Sequence, residues 1–378
     1  MFRFLTAGES HGEMLVAVID GVPAGLPLTN ECIDIELARR QKGYGRSERM
    51  SIEEDRVHIL SGVRFGNTLG SPIALSIPNH DCQSFMDVQP VEQSSKTPDV
   101  IPRPGHADLA GCIKYGHTDI RNVLERASAR ETAARVVVGA VAKRILMELD
   151  ILIVSHVIRI GRICEEQSSS MSLQKIQELS EASTVRCLDK TSELAMIAEI
   201  EEAASKGNTL GGVFEIAASG IPVGLGSYTH WDRRLDGELA KAVMSIPGVK
   251  GVEIGLGFRA AELPGSQVHD EIHYDGVSYT RPSNNAGGIE GGVTNGEPII
   301  IRAAMKPIPT LRMQLQSVDM TTKKPVPAFS ERSDVCAVPS AAVVGESMTA
   351  ITLVTAILEK FGGDNLDELR RYFIAYNQ

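Results

Sequence analysis

The chain repeats short segments in the same order in its two halves. Any one pair alone would be expected by chance among glycine-rich turns, but the shared order indicates an ancient duplication. We therefore predict a single domain over residues 1–378, made of two strand-helix-strand-helix units at about 1–160 and 207–378, with a peripheral insertion at about 161–206. The matched pairs are 21–26 (GVPAGL) with 220–225 (GIPVGL), 70–75 (GSPIAL) with 296–301 (GEPIII), and 137–139 (VVG) with 343–345 (VVG).

Local patterns place several elements, chiefly in the first half. Short apolar runs rich in β-branched residues predict strands, and proline-free amphipathic stretches predict helices. Residues 82–102 are polar and contain proline, so we expect a loop long enough to form a lid. Residues 165–206 are polar with a helical pattern. The predicted strands are 15–19, 73–77 and 151–160, and the predicted helices are 30–41, capped by Asn30, and 119–149.

Composition narrows the class of protein. An apolar content of 43% is enough for one large core or two ordinary ones. A net charge of -10 argues against general nucleic-acid binding. The six cysteines show no C-x-x-C pair and no metal-ligand spacing, which is typical of reduced cytoplasmic thiols. No signal peptide is visible, and no apolar run approaches the ~20 residues of a membrane helix, so we expect a cytoplasmic protein without membrane contact.

Two histidines lie in short loops framed by glycine or proline. His11 lies within 8–12 (GESHG), and His106 lies within 103–108 (RPGHAD), where Asp108 could orient His106 or Arg103. Histidine exchanges protons near neutral pH, and arginine binds phosphate or carboxylate in a bidentate fork. The combination predicts acid-base chemistry on a small polyanion. The alternative for each loop is a structural turn.

Basic and glycine-rich segments extend this hypothesis. Residues 39–46 (RRQKGYGR) are rich in basic side chains, and their alternative is a solvated helix end. Arg126 and Arg130 are four residues apart and share one helix face. Their alternative to binding an anionic ligand is the commoner one, an exposed helix face with salt bridges. The turn at 287–292 could approach a phosphate or a flat ring, but it matches neither a Walker loop nor a dinucleotide fingerprint. Residues 306–310 (KPIPT) are stiffened by two prolines.

Together, seven segments resemble chorismate synthase over essentially the whole chain. Each is weak alone, but seven in order are specific. The resemblance implies an α+β fold, a β-α-β sandwich of two pseudo-repeated units, assembled as a homotetramer that is a dimer of dimers. The segments are 6–12 (TAGESHG), 39–46 (RRQKGYGR), 103–108 (RPGHAD), 125–131 (ERASARE), 284–292 (NNAGGIEGG), 306–310 (KPIPT) and 332–334 (RSD).

The resemblance also implies a reaction: the 1,4-anti elimination of phosphate from 5-enolpyruvylshikimate 3-phosphate to give chorismate. This lyase step of the shikimate pathway requires reduced FMN without net redox, with NADPH as an indirect electron source. His11 would protonate the departing phosphate, and His106 would donate toward the reduced flavin. Asp334 would assist proton removal near the flavin N5.

Further site residues follow from the same resemblance. The substrate carries one phosphate and two carboxylates, which would be gripped by arginines. The implied substrate-binding residues are Arg40, Arg46, Arg49, Arg103, Arg130 and Arg332. The implied FMN-binding residues are Arg126, Ala127, Ser128, Pro247, Gly248, Gly291, Lys306, Pro307, Ile308, Pro309, Thr310 and Arg332.

Two other classes of function stay open at this point. One is a flavin-dependent oxidoreductase acting on an anionic substrate, for which no nicotinamide fingerprint is present. The other is a non-catalytic anion-binding or RNA-binding protein. The acidic balance and an aromatic content of 4% argue against stacking platforms for bases.

Overall fold

The computed structural model describes residues 1–46, 54–80, 82, 97–165, 171–329 and 333–377. The strands are β1 Arg3–Ala7, β2 Met14–Asp20, β3 His58–Ile59, β4 Val63–Arg64, β5 Asn67–Thr68, β6 Ile73–Pro78, β7 Leu152–Ile160, β8 Ile163–Cys164, β9 Gly212–Ser219, β10 Val249–Ile254, β11 His273–Tyr274, β12 Tyr279–Thr280, β13 Ile289–Glu290, β14 Val293–Thr294, β15 Ile299–Met305, β16 Gln316–Val318 and β17 Pro325–Pro327. The α-helices are α1 Asn30–Gln41, α2 Asp108–Tyr115, α3 Arg121–Ala127, α4 Thr132–Met147, α5 Leu173–Ala182, α6 Lys190–Ser205, α7 Leu235–Met244, α8 Gly265–Val268, α9 Val338–Phe361 and α10 Leu366–Asn377.

Two antiparallel sheets enclose a layer of helices. The first sheet has the strand order β1-β2-β6-β3 and the second β10-β15-β9-β7-β8. Helix α4 packs on β2 and β6, α9 packs on β7 and β9, and the two helices pack on each other. Apolar faces of both sheets are thereby covered by one shared helical layer. The predicted α+β sandwich is confirmed.

Most locally predicted elements are present. The expected strands at 15–19, 73–77 and 151–160 are found as β2, β6 and β7, and the expected helix at 30–41 is α1. The cap of α1 is Thr29 rather than Asn30, because the Thr29 hydroxyl accepts from the backbone N–H of Cys32 at 3.4 Å. Most of the expected lid at 82–102 lies outside the described residues, which include only 82 and 97–102 of it.

The single long helix predicted at 119–149 is wrong. Helix α3 ends at Ala127, and Ser128 has extended backbone angles of φ -62° and ψ 143°. Its hydroxyl accepts from the backbone N–H of Arg130 at 3.3 Å and caps a 3-10 turn over Ala129–Glu131. A serine hydroxyl that bonds nearby backbone offers an alternative to the helical ladder. The break buries Arg130 instead of leaving it on an exposed helix face.

The prediction that no apolar run approaches the length of a membrane helix is also wrong. Helix α9 spans 24 residues and is apolar enough to cross a membrane by length and composition. However, 83% of its most apolar stretch is buried inside the fold. Apolar residues occur on all sides of α9 because it is a buried helix, which contacts α4, α7 and the second sheet.

The two units share their element order and a hydrogen-bond motif. The orders are β2-α1-β6-α4 and β9-α7-β15-α9. The Thr68 hydroxyl accepts from the backbone N–H of Leu26 at 2.9 Å and donates at 2.6 Å to the proline carbonyl of the same turn. The Thr294 hydroxyl makes the matching bonds to the Leu225 N–H at 2.8 Å and to a proline carbonyl at 2.6 Å. These contacts support the repeat, and its origin by duplication stays a prediction.

A buried carboxylate ties the helical layer to the second sheet. Glu346 on α9 is fully buried and accepts hydrogen bonds from both terminal nitrogens of Arg39 on α1, at 2.7 and 2.9 Å. It also accepts from Lys143 on α4, from Arg186 at 3.3 Å and from the Ser155 hydroxyl at 2.6 Å. Burial alone would raise the pKa of the Glu346 carboxyl, but the nearby cations hold that pKa well below its usual value.

We expect Gly139→Ala to lower the free energy of unfolding by about 1–3 kcal/mol. The added Cβ would lie 2.2 Å from the Cβ of Ser347, where α4 and α9 are in contact. Urea unfolding followed by circular dichroism measures the change. The control is Gly237→Ala on the exposed face of α7, where the nearest atom is 4.0 Å away, and alanine should stabilise by up to about 1 kcal/mol. Equal stability of the two variants would contradict the packing argument.

We expect Glu346→Gln to lower the free energy of unfolding by about 3–5 kcal/mol near neutral pH, because buried cations lose their counter-charge. The native pKa lies below the ordinary 4.5, so this contribution is present above about pH 4.5 and is lost as the pH falls. The gap in unfolding midpoint between wild type and variant should therefore shrink on acidification. Glu202→Gln, in an exposed ion pair that solvent screens, is the control and should leave the free energy of unfolding nearly unchanged. A gap independent of pH would refute this assignment.

Candidate active site

One large cavity, of about 760 Å³, is lined by both halves of the chain. The first half contributes the loop after β1, the end of α1 and the segments around α2 and α3, and the second half contributes the ends of β15 and α7 and the start of α9. The cationic side chains along it are Arg40, Arg46, Arg103, Arg130, Lys250 and Lys306. Among the described lining residues, Asp334 is the sole carboxylate. The cavity is therefore strongly cationic although the chain as a whole is acidic.

A buried glutamate orients His11. Both His11 Nδ1 and the backbone N–H of His11 lie within hydrogen-bond distance of Glu125 Oε2, at 2.8 and 3.0 Å. The other oxygen of Glu125 accepts from Arg121 at 3.0 Å. Burial by itself raises the pKa of the Glu125 carboxyl, but the contacts with His11 outweigh it and lower that pKa. An ionised carboxylate only accepts, so Nδ1 carries a proton and Nε2 is the nitrogen that Glu125 does not engage.

A buried aspartate plays the same part for His106. Asp108 is fully buried; its Oδ1 lies 2.5 Å from His106 Nδ1, and its Oδ2 accepts from Arg103 Nε at 2.9 Å. Burial alone would raise the pKa of the Asp108 carboxyl, but hydrogen bonds from His106 and Arg103 lower it to about 2. The expectation that Asp108 orients His106 or Arg103 is confirmed, because it contacts both.

Asp55 holds two of the cavity arginines side by side. Its carboxylate accepts from Arg40 at 3.2 Å and from Arg130 at 2.5 Å. Arg40 also donates to the Thr132 hydroxyl at 3.1 Å, and Arg130 donates to the Asn79 side-chain oxygen at 2.8 Å. Burial lowers the pKa of Arg40 to about 10, so it remains charged at neutral pH. The alternatives of a solvated helix end and of an exposed helix face are therefore wrong for Arg40 and Arg130.

Hydrogen bonds join the two halves across the cavity. Arg103 donates to the Thr310 hydroxyl at 3.0 Å, and Lys306 Nζ donates to the Gly105 carbonyl at 2.7 Å. The backbone N–H of Lys306 donates to the Gly248 carbonyl at 2.9 Å. Burial, with a smaller effect of nearby Lys250, lowers the pKa of Lys306. The prolines of 306–310 hold this segment as a stiff wall facing the histidine loops.

The structure brings most predicted site residues together. Arg126 and Gly291 do not line the cavity: Arg126 donates to the carbonyls of Thr6 and Gly8, at 3.0 and 3.1 Å, and supports the His11 loop, whereas Gly291 lies exposed at the β13-β14 turn. Arg49 and Arg332 lie outside the described residues. The predicted residues that line the cavity are His11, His106, Asp334, Arg40, Arg46, Arg103, Arg130, Ala127, Ser128, Pro247, Gly248, Lys306, Pro307, Ile308, Pro309 and Thr310.

Sequence reasoning missed three residues. Asp55 follows no motif, and its partners Arg40 and Arg130 lie 15 and 75 residues away in the chain. Glu125 begins the segment 125–131, and its i, i+4 spacing from Arg121 was the signal that could have predicted an ion pair there. Lys250 lies two positions after the predicted FMN contact at 247–248 and lines the same cavity. Within the described ranges, no group of three or more His, Cys, Asp or Glu side chains is placed to hold a metal ion.

The arrangement suits one kind of chemistry. Several fixed cations can bind a ligand with more than one anionic group, and two imidazoles braced by carboxylates can exchange protons with it. The half-buried Asp334, 3.3 Å from Arg46, adds a proton acceptor. Developing negative charge would be stabilised by side chains that are already in position.

Comparisons with known proteins agree on one family. A family model described as chorismate synthase matches residues 2–358. Chorismate synthase 1 of Bacillus cereus is 54% identical over 384 residues, covering 100% of this chain and 98% of that protein. The chorismate synthase of Geobacter sulfurreducens is 56% identical over 387 residues, with the same coverage. A crystal structure of a chorismate synthase superposes with a TM-score of 0.81 at 47% identity, covering 99% of this chain and 97% of the other. The resemblance is confirmed: the chain belongs to the chorismate synthase family.

Proposed function

We propose that this chain is a carbon-oxygen lyase that eliminates phosphate from 5-enolpyruvylshikimate 3-phosphate to give chorismate, in the shikimate pathway to aromatic amino acids. One observation carries the proposal: both carboxylate-braced histidines and six cations line one cavity in a chain of this family. We place the reaction in the cytoplasm.

The charges of the cavity match those of the substrate. The substrate has one phosphate and two carboxylates, and planar guanidinium groups bind both kinds of anion in a bidentate manner. Arg40 and Arg130 are held adjacent by Asp55, and Arg103 is held by Asp108. Immobilised arginines lose little side-chain entropy when the anion arrives.

The cavity also fits reduced FMN. Its volume lies within the range of small-molecule sites, and an apolar wall meets cationic residues, as a flat ring with a phosphate requires. Reduced FMN, when bound, would supply transient electron density to the breaking C–O bond without net oxidation. The apolar wall comprises Leu124, Ile246, Pro247, Val249, Met305, Ile308, Pro309, Ala337, Ala341 and Val344. The residues that would hold FMN include Ala127, Ser128, Pro247, Gly248 and the segment 306–310.

The chain's own residues would manage the protons. His11 would give a proton to the departing phosphate, and Glu125 beside it would stabilise the imidazolium before transfer. His106, fixed by Asp108, would donate a hydrogen bond into the cavity. Asp334 would assist the removal of the substrate proton. The low exposure of His11 and of the carboxylates behind both histidines strengthens these charge interactions.

We propose a homotetramer, a dimer of dimers, and NADPH as an indirect electron source. The first sheet supports association. Leu5 and Val18 are paired across β1 and β2, and they leave 74% and 40% of their surfaces exposed. Exposed apolar side chains of this kind are typical of contact surfaces between subunits.

The direct test is an anaerobic assay. Purified protein, reduced FMN and 5-enolpyruvylshikimate 3-phosphate should yield chorismate, followed by absorbance, and oxidised FMN serves as the control. Phosphate and chorismate should appear in equal amounts. Stoichiometric oxidation of the substrate without phosphate release would instead favour the flavin-dependent oxidoreductase.

In that assay, we expect His11→Ala and His106→Ala each to lower kcat by about 10²–10⁴-fold, the usual contribution of a general acid, with much less change in substrate binding. Binding is measured separately by calorimetry. His230→Ala, at an exposed histidine paired with Asp232, is the control and should retain wild-type kcat. Wild-type turnover in both cavity variants would end these role assignments.

Glu125→Gln tests whether the glutamate acts through His11. Donors approach both carboxylate oxygens, so a glutamine must turn its NH₂ group toward one of them. We expect kcat to fall at least about tenfold with little change in KM, and the alkaline limb of the kcat profile to move to lower pH, because the imidazolium loses its counter-charge. Glu193→Gln, at a buried carboxylate on α6 that pairs with Lys190 and does not line the cavity, is the control. An unshifted pH profile would leave Glu125 with a structural role alone.

A further inference from the structure

A series of charged side chains leads from His11 away from the cavity. Glu125 Oε2 contacts His11 Nδ1 at 2.8 Å, and Glu125 Oε1 accepts from Arg121 Nη1 at 3.0 Å. On its other side, Arg121 Nε donates to Asp99 at 2.7 Å. The exposed fraction of the side chain rises along the series, from 2% for Glu125 to 14% for Arg121 and 36% for Asp99. Charges of alternating sign therefore connect His11 to solvent.

Arg121 occupies a position that helix stability does not explain. It is the first residue of α3, where the partial positive charge of the helix N-terminus disfavours a cation. Its i, i+4 pair with Glu125 also has the less favourable order, with the basic residue first. Contacts with Asp99, Glu125 and the Phe329 ring, whose centroid is 5.7 Å from the guanidinium carbon, fix the side chain instead.

Arg121 can influence a ligand only from behind the cavity wall. Neither Arg121 nor Asp99 is among the described residues that line the cavity, whereas His11 is. Burial raises the pKa of the Glu125 carboxyl, and His11 and, less strongly, Arg121 lower it. A second cation on the same carboxylate leaves less negative charge to stabilise the His11 imidazolium, so the ring releases its proton more readily.

The other charged groups around His11 stay constant when Arg121 is replaced. Glu9 and Glu13 belong to the same loop, and Arg126 contacts the backbone of that loop. A change in His11 protonation that follows a substitution at Arg121 would therefore come through Glu125. The titratable and charged groups that share the cavity with His11 are Arg40, Arg46, Arg103, His106, Arg130, Lys250, Lys306 and Asp334.

We propose that Arg121 is a positioning residue for His11: by holding the far oxygen of Glu125, it fixes that carboxylate and makes the His11 imidazolium a readier proton donor. Asp99 opposes this effect, because it neutralises part of the Arg121 charge. The inference rests on the proposed function, in which His11 gives a proton to the departing phosphate. It adds that two residues outside the cavity wall set how readily this proton is given.

The pH dependence of kcat in the anaerobic assay tests the sign of the effect. Arg121→Met should lower kcat at least about threefold, a part of the general-acid contribution, with little change in KM. The alkaline limb of the profile should move to higher pH by at least about half a unit, because the imidazolium no longer shares Glu125 with a second cation. Glu125→Gln is expected to move the same limb the other way, so a general loss of structure around His11 cannot produce both results.

Two further variants separate charge from geometry. Arg121→Lys keeps the charge but lacks the planar fork that reaches Asp99 and Glu125 together, so the limb should return to its wild-type position while kcat stays below wild type. Asp99→Asn should move the limb to lower pH, by less than Glu125→Gln does, because Asp99 is more exposed. Arg144→Met, which breaks an i, i+4 ion pair with Glu148 outside the cavity, is the matched control and should leave the profile unchanged.

A chemical readout separates this inference from the proposed function. Diethyl pyrocarbonate modifies neutral imidazole, so the pH dependence of His11 modification, followed by mass spectrometry of its peptide, reports the state of the ring without turnover. The midpoint should move up in Arg121→Met and down in Asp99→Asn. These shifts without any chorismate formation would refute the proposed function and leave the inference standing.

Three results would overturn the inference. They are unshifted midpoints, a downward shift in Arg121→Met, and a His11 that reacts at no pH, since the inference requires its Nε2 to be open to the cavity. If Arg121→Met does not fold, the direction of the shift in Asp99→Asn decides.

Discussion

Pairing between buried carboxylates and cations is the interaction on which the rest of this structure depends. Asp55, Asp108, Glu125 and Glu346 are each at most 3% exposed, and each contacts at least one arginine. A buried charge that loses its partner costs several kcal/mol, so each carboxylate confines its cations to one arrangement. One of these groups joins the helical layer to the second sheet, and the other three stand behind the cavity.

The cavity is a product of the docking of the two units. His11 and Arg103 come from the first unit and Lys306 and Thr310 from the second, and direct hydrogen bonds join Arg103 to Thr310 and Lys306 to Gly105. Neither half alone has both the imidazoles and the stiff proline-containing wall. The helical layer sets the distance between the halves, which explains why α4 and α9 meet at residues as small as glycine and serine.

Sequence predicted what local pattern or family motif determines. Strands β2, β6 and β7 follow from apolar runs, and most of the polar lining residues lie in the seven segments, whereas Lys250 lies in none of them. Arg39 and Arg40 show where this reasoning stops: neighbours on α1, they point in directions about 100° apart, so Arg39 pairs with Glu346 while Arg40 enters the cavity. The helix break at Ser128 was missed because its local cue is one serine in the stretch 119–138, which has no proline or glycine, and Asp55 was missed because its partners are brought to it by the tertiary fold.

Asp55 has a consequence for which ions the cavity retains. It already neutralises part of the charge of Arg40 and Arg130, so an incoming anion must compete with a resident one. A simple monoanion such as chloride or acetate gains little from that exchange. A molecule with several anionic groups can also bind Arg46 and Lys306, and these added contacts offset the competition from Asp55. Asp55 thus weakens the binding of monoanions more than that of polyanions, so the cavity selects ligands by their charge as well as by their shape.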